Sequence, residues 1–252
     1  MSLGEYIKRL FVVHKCVSCR EILDYKSFDN ALCPECRMEF DVAKTQSCPG
    51  CYKAACECSC QPPMLSKKGS LTLRKLFFYS ADKDKEAQNK LVYFLKHYPS
   101  KRGFEFCADQ LYKLIDQDLY LMGLDPRNDV FILNVPRSQR SVKQYGFDQS
   151  KEICKAISKK YSIIYIDALS RGFGGREQKM LNAAERRKNI AGQIRANTKV
   201  VDLVAEKYAI LLDDVVTTGA SMSECMNILK KMGVKGVMCV TLAADLKNKS
   251  AR

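Results

Sequence analysis

The sequence predicts a doubly wound α/β protein with a small cysteine-rich module ahead of it. Three observations carry this. Apolar strand-length runs alternate with amphipathic helical stretches from residue 128 to 245. One of those strands, beginning at Tyr208, ends in two adjacent carboxylates and a run of small hydroxylated residues. Nine of the 13 cysteines lie between Cys16 and Cys60.

The strand at Tyr208 organises the rest. The run Tyr208-Ala-Ile-Leu-Leu-Asp-Asp-Val-Val-Thr-Thr-Gly-Ala-Ser221 is a buried strand, then Asp213 and Asp214, then a short polar turn. A helix over Ser221–Met232 follows, with Met222, Cys225, Met226, Ile228 and Leu229 on its buried side. A turn rich in backbone N–H groups and hydroxyls at a helix N-terminus favours an anion. Acids leaving the C-terminal end of a parallel strand sit where open sheets bind ligands, and they suit ribose hydroxyls, directly or through Mg²⁺.

The cysteines form their own pattern. Cys16-Val-Ser-Cys19 and Cys33-Pro-Glu-Cys36 each point two thiolates at one ion, and together they make a closed four-sulfur zinc site. Cys48-Pro-Gly-Cys51 begins a second site, completed by two of Cys56, Cys58 and Cys60, with one thiol spare. Closed four-thiolate sites are structural and do not activate water. Cys107, Cys154, Cys225 and Cys239 are scattered among apolar residues and read as core side chains.

The order of the remaining elements follows from periodicity and breakers. Residues 1–65 form the cysteine module, and Gln61-Pro-Pro-Met64 with Ser66-Lys-Lys-Gly-Ser70 mark its end. Within 66–252, a basic region over 66–127 holds a strand at Leu73–Tyr79 and helices at Lys83–His97 and Gly103–Met122. The core over 128–245 holds strands at Val130–Val135, Ile163–Ile166, Tyr208–Leu212 and Val237–Leu242, with a helix at Phe147–Lys160.

Net charge is +14, which favours an anionic partner. Lysines and arginines from Lys67 to Arg102 alternate with Phe77, Phe78, Tyr79, Tyr93, Phe94 and Tyr98. That composition suits single-stranded nucleic acid, although an amphipathic helix with buried aromatics and solvated lysines has the same pattern. No apolar run reaches membrane-span length, and the first residues lack a signal-peptide pattern, so the expectation is a cytoplasmic protein.

Residues 208–221 resemble the phosphoribosyl-diphosphate (PRPP) motif of type I phosphoribosyltransferases. The loop Pro136 to Gln149, with Leu169-Ser-Arg171, Gln178, Leu181 and Arg187-Lys-Asn189, extends the likeness to the ComF family. Those competence-associated proteins are phosphoribosyltransferase-like and typically carry N-terminal cysteine ribbons. The resemblance implies a type I phosphoribosyltransferase-like doubly wound parallel sheet. It implies PRPP or nucleotide held with Mg²⁺ by Asp213, Asp214, Val215, Thr217, Thr218, Gly219, Ala220 and Ser221, with Pro136 and Arg137 beside them. Arg171 and Lys179 would neutralise departing pyrophosphate if turnover occurs, and Arg171 to Lys199 would supply a closing loop. It further implies single-stranded DNA handling in uptake, with a DNA-uptake helicase or recombination proteins as partners. The rival expectation is an active transferase of nucleotide metabolism. Two departures bear on this. The family's Arg-Gly-Phe-Asn-Gln stands here as Tyr145-Gly-Phe-Asp-Gln149. Thr217 occupies the place where relatives using 6-oxopurines have a carboxylate, which argues against that substrate.

Overall fold

The computed structural model describes residues 12–79, 86–172 and 193–245. Five parallel strands form the main sheet in the order β1-β7-β6-β2-β3. They are β1 (Ser70–Tyr79), β2 (Val130–Asn134), β3 (Ile164–Tyr165), β6 (Tyr208–Val216) and β7 (Gly236–Asp245). Two short strands, β4 (Leu169–Arg171) and β5 (Ile194–Ala196), pair antiparallel beside it. The longer helices among the described residues are α1 (Pro34–Thr45), α2 (Ala87–His97), α3 (Lys101–Met122), α4 (Gln139–Tyr145), α5 (Gln149–Tyr161) and α6 (Ala220–Lys231), with single turns at Pro63–Ser66 and Val201–Val204.

The period of two in the strands decides which side chain faces which layer. Val130 and Ile132 of β2 and Ile210 and Leu212 of β6 pack against one face, with Leu91, Leu111 and Ile153 from α2, α3 and α5. Phe131, Leu133, Ala209 and Leu211 point the other way, toward Met222, Cys225 and Leu229 of α6. Both faces are covered, so the central strands are apolar throughout.

The chain leaves β2 toward β3 on one side and leaves β6 toward β7 on the other. The order of winding therefore reverses between β2 and β6, and their C-terminal ends flank a crevice at that reversal. Asn134 lies opposite Leu212, and Val135 N–H donates to the Leu212 carbonyl at 2.8 Å.

The strand expected at Leu73–Tyr79 is longer and forms a sheet edge, so the basic stretch 66–127 contributes a strand to the main sheet. This corrects its reading as a nucleic-acid surface for four residues. Phe77 and Phe78 are buried, as are Lys75 and Arg74. Arg74 is neutralised by Asp118 of α3, to which its Nε donates at 3.0 Å.

Candidate functional site

β6 runs four residues beyond the expected Leu212, so both acids lie within the strand, half-buried at its C-terminal end. Their oxygens are partly committed. Asp213 Oδ1 accepts from Asp214 N–H at 2.9 Å, and Asp214 Oδ1 accepts from Val215 N–H at 2.8 Å. Gln149, the first residue of α5 and only 1% exposed, donates from Nε2 to Asp214 Oδ2 at 2.5 Å. Burial pushes the Asp213 carboxyl well above the usual carboxylate range, and the neighbouring Asp214 charge adds to it.

After Val216 the chain turns through Thr217 and Thr218 to Gly219, whose φ of +76° is left-handed. Gly219 is the N-cap residue of α6 and offers no side chain, while Thr218 Oγ1 accepts from Ala220 N–H at 3.4 Å. Its first amides, with the hydroxyls of Thr217, Thr218 and Ser221, form an N-terminal turn of the type that accepts an anion.

The loop after β2 forms the opposite wall. Pro136 is buried and Arg137 half-exposed. Asp148 caps α5, accepting from Ser150 N–H at 3.1 Å and Lys151 N–H at 3.3 Å. Its other oxygen accepts from Arg137 N–H and Asn134 Nδ2, both at 3.1 Å. An Asn here could not accept on both oxygens, so the acid in Gly-Phe-Asp-Gln is used in tying the loop to the helix. Tyr145 is likewise occupied: the Arg137 guanidinium lies 4.7 Å from its ring centroid. Burial raises the Asp148 carboxyl above its ordinary value, against the lowering by the amides of Lys151 and Arg137.

Arg171 ends β4 and donates from Nε and Nη2 to Gln193 Oε1 at 3.2 and 3.1 Å. Burial lowers its pKa, and the Asp213 charge opposes that. Lys179 lies outside the described residues, as do Gln178, Leu181 and Arg187 to Gly192.

Among the described residues, two groups of thiols converge, each with its sulfur atoms within 4.8 Å of one another. The first is Cys16, Cys19, Cys33 and Cys36; the second is Cys48, Cys51, Cys58 and Cys60. Four sulfurs about 2.3 Å from one tetrahedral Zn²⁺ lie about 3.8 Å apart. Cys19 and Cys33 are 3.8 Å apart, and Cys51 and Cys58 3.5 Å, so both groups could hold zinc. Cys56 is the spare thiol, which corrects its place among the candidate ligands: it packs at the margin of the main core instead.

Sequence reasoning named Tyr93, Phe94 and Tyr98 as part of a candidate surface but missed Arg20, His97 and Tyr145 beside them. Arg20 of the first cysteine turn lies over the rings of Phe94 and Tyr98, at 5.7 and 5.4 Å. The Tyr93 and His97 rings lie tilted with centroids 4.1 Å apart, and His97 meets Tyr145 edge-on at 4.9 Å. Tyr93 and Tyr98 are 56% and 51% exposed. Cations and rings therefore run from the cysteine module to Arg137 at the crevice. The i, i+4 spacing of Tyr93 and His97, and of Phe94 and Tyr98, was the available signal.

No family model matches the sequence. The chain is 24% identical over 241 residues to competence protein ComFC of Streptococcus pneumoniae, covering 90% of this chain and 99% of that protein. It is 30% identical over 116 residues to the DNA utilization protein YhgH of Escherichia coli O157:H7, spanning about half of that relative's length (49%). Among solved structures, a hypoxanthine phosphoribosyltransferase of Staphylococcus aureus aligns over 60% of this chain and 69% of its own, with 11% identity and a TM-score of 0.37. The Trypanosoma cruzi enzyme aligns over 61% and 69%, with 13% identity and a TM-score of 0.39. Overlaps this loose have no bearing on activity. Among the described residues, no helix is long and apolar enough to cross a membrane. Over nearly its whole length, then, the chain is similar to a ComF-type competence protein.

Proposed function

We propose that the chain binds PRPP, or a nucleotide sharing its ribose 5-phosphate, at the crevice between β2 and β6. The observation that carries this is the acid pair near the C-terminal end of β6, followed after Val215 to Gly219 by the N-terminus of α6, where the N-cap Gly219 has no side chain to offer. The 5′-phosphate lies over Thr217 to Ser221, and the ribose hydroxyls donate to Asp213 and Asp214. The same carboxylates are hard oxygen donors that would hold Mg²⁺, which would supply positive charge against the diphosphate. Arg137 faces the ligand from the β2 side. Calorimetric titration with PRPP, with and without Mg²⁺, tests the reading: saturable 1:1 binding supports it, and no heat at millimolar PRPP removes it.

The protein acts as a ligand-binding component in handling single-stranded DNA. Support comes from the competence and DNA-utilization functions named for its relatives, and from the cation and ring surface from Arg20 to Arg137. Successive bases stack on Tyr93 and Tyr98 while Arg20 and Arg137 meet phosphates. Affinity for a labelled oligonucleotide should fall steeply between 50 and about 200 mM salt. A salt-insensitive affinity contradicts this. The second reading, transfer of ribose 5-phosphate to an acceptor, is favoured by Arg171, a half-buried cation that feels the charge of Asp213. Release of pyrophosphate from PRPP in the presence of a nucleobase panel distinguishes it.

A further inference from the structure

The segment joining the cysteine module to β1 does more than connect. Pro63–Ser66 forms a helical turn, and its Leu65 is fully buried in the cluster that holds Val216, Met222 and Cys225. The side chain fills the space beneath Gly219: a Cβ there would lie 2.8 Å from Leu65 Cγ and 3.2 Å from Cδ2. The backbone at Gly219 has closed onto Leu65 as tightly as a residue without a side chain permits.

Leu65 is itself placed from the other direction. Only four residues separate it from Cys60, and two of them are Pro62 and Pro63, whose fixed φ angles stiffen the connection. Cys60 is held by a buried cation. Lys75 of β1 is 1% exposed and donates from Nζ to the carbonyls of Cys58 at 2.8 Å and Cys60 at 3.0 Å. Gln61 Nε2 adds a bond to the Ser70 carbonyl at 3.4 Å. A continuous path of contacts runs from the second thiol group, through a short proline-stiffened link, to the underside of the turn before α6.

We infer that Leu65 is a positioning residue for the phosphate-binding turn, held in place by the second cysteine group. The inference rests on the reading of Thr217 to Ser221 as that turn. The module then has a role in ligand binding without touching the ligand. Its metal site sets where Leu65 stands, and Leu65 sets the left-handed Gly219 conformation that aims the amides of α6.

The test uses the full chain and PRPP with Mg²⁺ as the probe, read by calorimetry, alongside hydrogen exchange of residues 217–221. Leu65→Ala should weaken PRPP binding tenfold or more and speed exchange at 217–221. Exchange in α3 and bound zinc should stay at wild-type levels. Gly219→Ala should weaken binding more in the wild-type background than in Leu65→Ala, because removing Leu65 makes room for the new methyl group. Cys60→Ser should speed exchange at 217–221 as Leu65→Ala does. Wild-type affinity and exchange in folded Leu65→Ala, or strictly additive losses in the double variant, overturn the inference. Should Leu65→Ala not fold, Leu65→Met keeps the volume but reshapes the contact, and unchanged exchange at 217–221 overturns it equally. If the wild type binds no PRPP, the ligand reading fails, while the exchange comparison still decides whether Leu65 supports the turn.

Discussion

The two cysteine groups begin identically and end differently. In each, the first Cys-x-x-Cys makes the same turn: Cys16 N–H donates to Glu21 O and Cys48 N–H to Lys53 O, both at 2.8 Å. Arg20 and Tyr52 occupy the same left-handed position, with φ of 69° and 61°. One antiparallel bridge closes each turn, Lys15 to Ile22 and Ser47 to Ala54. The closing pairs then diverge. Cys33 and Cys36 lie at the N-terminus of α1, where Cys33 Sγ accepts from Cys36 N–H at 3.5 Å and helix amides favour thiolate charge. Cys58 and Cys60 have no helix. Their positive partner is Lys75, supplied by the main sheet. Both groups touch the α/β body, but at different points. Arg102 of α3 donates to the carbonyls of Phe28, Asn30 and Lys15 around the first group, at 3.0, 2.8 and 3.4 Å, whereas Lys75 donates to the carbonyls of two thiol-bearing residues of the second.

Removing a ligand from the first group, whose closing pair starts α1, should have the largest effect. Zinc binding supplies about 10–16 kcal/mol of folding free energy in isolated modules. Cys33→Ser should therefore lose one zinc and melt the segment around α1, seen as new protease cuts before residue 46, with the second zinc retained. Equal loss of both metals would break the distinction between the groups.

Lys75→Met addresses the other side of the comparison. It keeps the stem volume but leaves the carbonyls of Cys58 and Cys60 without their donor. Hydrogen bonds to a charged group contribute about 1.5–3 kcal/mol each, so the cost should be about 3–6 kcal/mol in denaturant unfolding. Zinc should also leave the second group faster than the first in a chelator competition. Identical release from both would show that the sheet does not hold the second group.

Cys56→Ser should have the smallest effect. Cys56 stands apart from the converging thiols, so metal content should not change, and stability should shift by about 1 kcal/mol or less. Loss of one zinc would return Cys56 to the ligand set.

Much of this was legible in the sequence. The spacing of Cys16, Cys19, Cys33 and Cys36 reads directly as a closed site, because both halves have the same local form. The choice among Cys56, Cys58 and Cys60 does not, because it depends on where β1 presents Lys75. The acid pair was visible at a strand end, but β6 continues through it, since pairing of Asp213 with Thr241 and Val215 with Ala243 extends the ladder. Aromatics in Leu73-Arg-Lys-Leu-Phe-Phe-Tyr79 suggested a surface, yet Asp118 and two cysteine carbonyls satisfy the charges of Arg74 and Lys75 internally. Such partners lie 15 to 44 residues away and carry no local signal. The capping role of Asp148 could have been read from an acid just before an amphipathic helix. Gln149 reaching Asp214 could not, because that contact exists only once β2 and β6 are neighbours.

The central claim is that Asp213 and Asp214 receive the ribose of a phosphorylated ligand. PRPP titration of the wild type against Asp213→Ala with Asp214→Ala, both checked for folding and bound zinc, tests it most directly. Two lost hydrogen bonds to charged groups, at about 1.5–3 kcal/mol each, should weaken binding by roughly two to four powers of ten. Wild-type affinity in the folded double variant would contradict the claim.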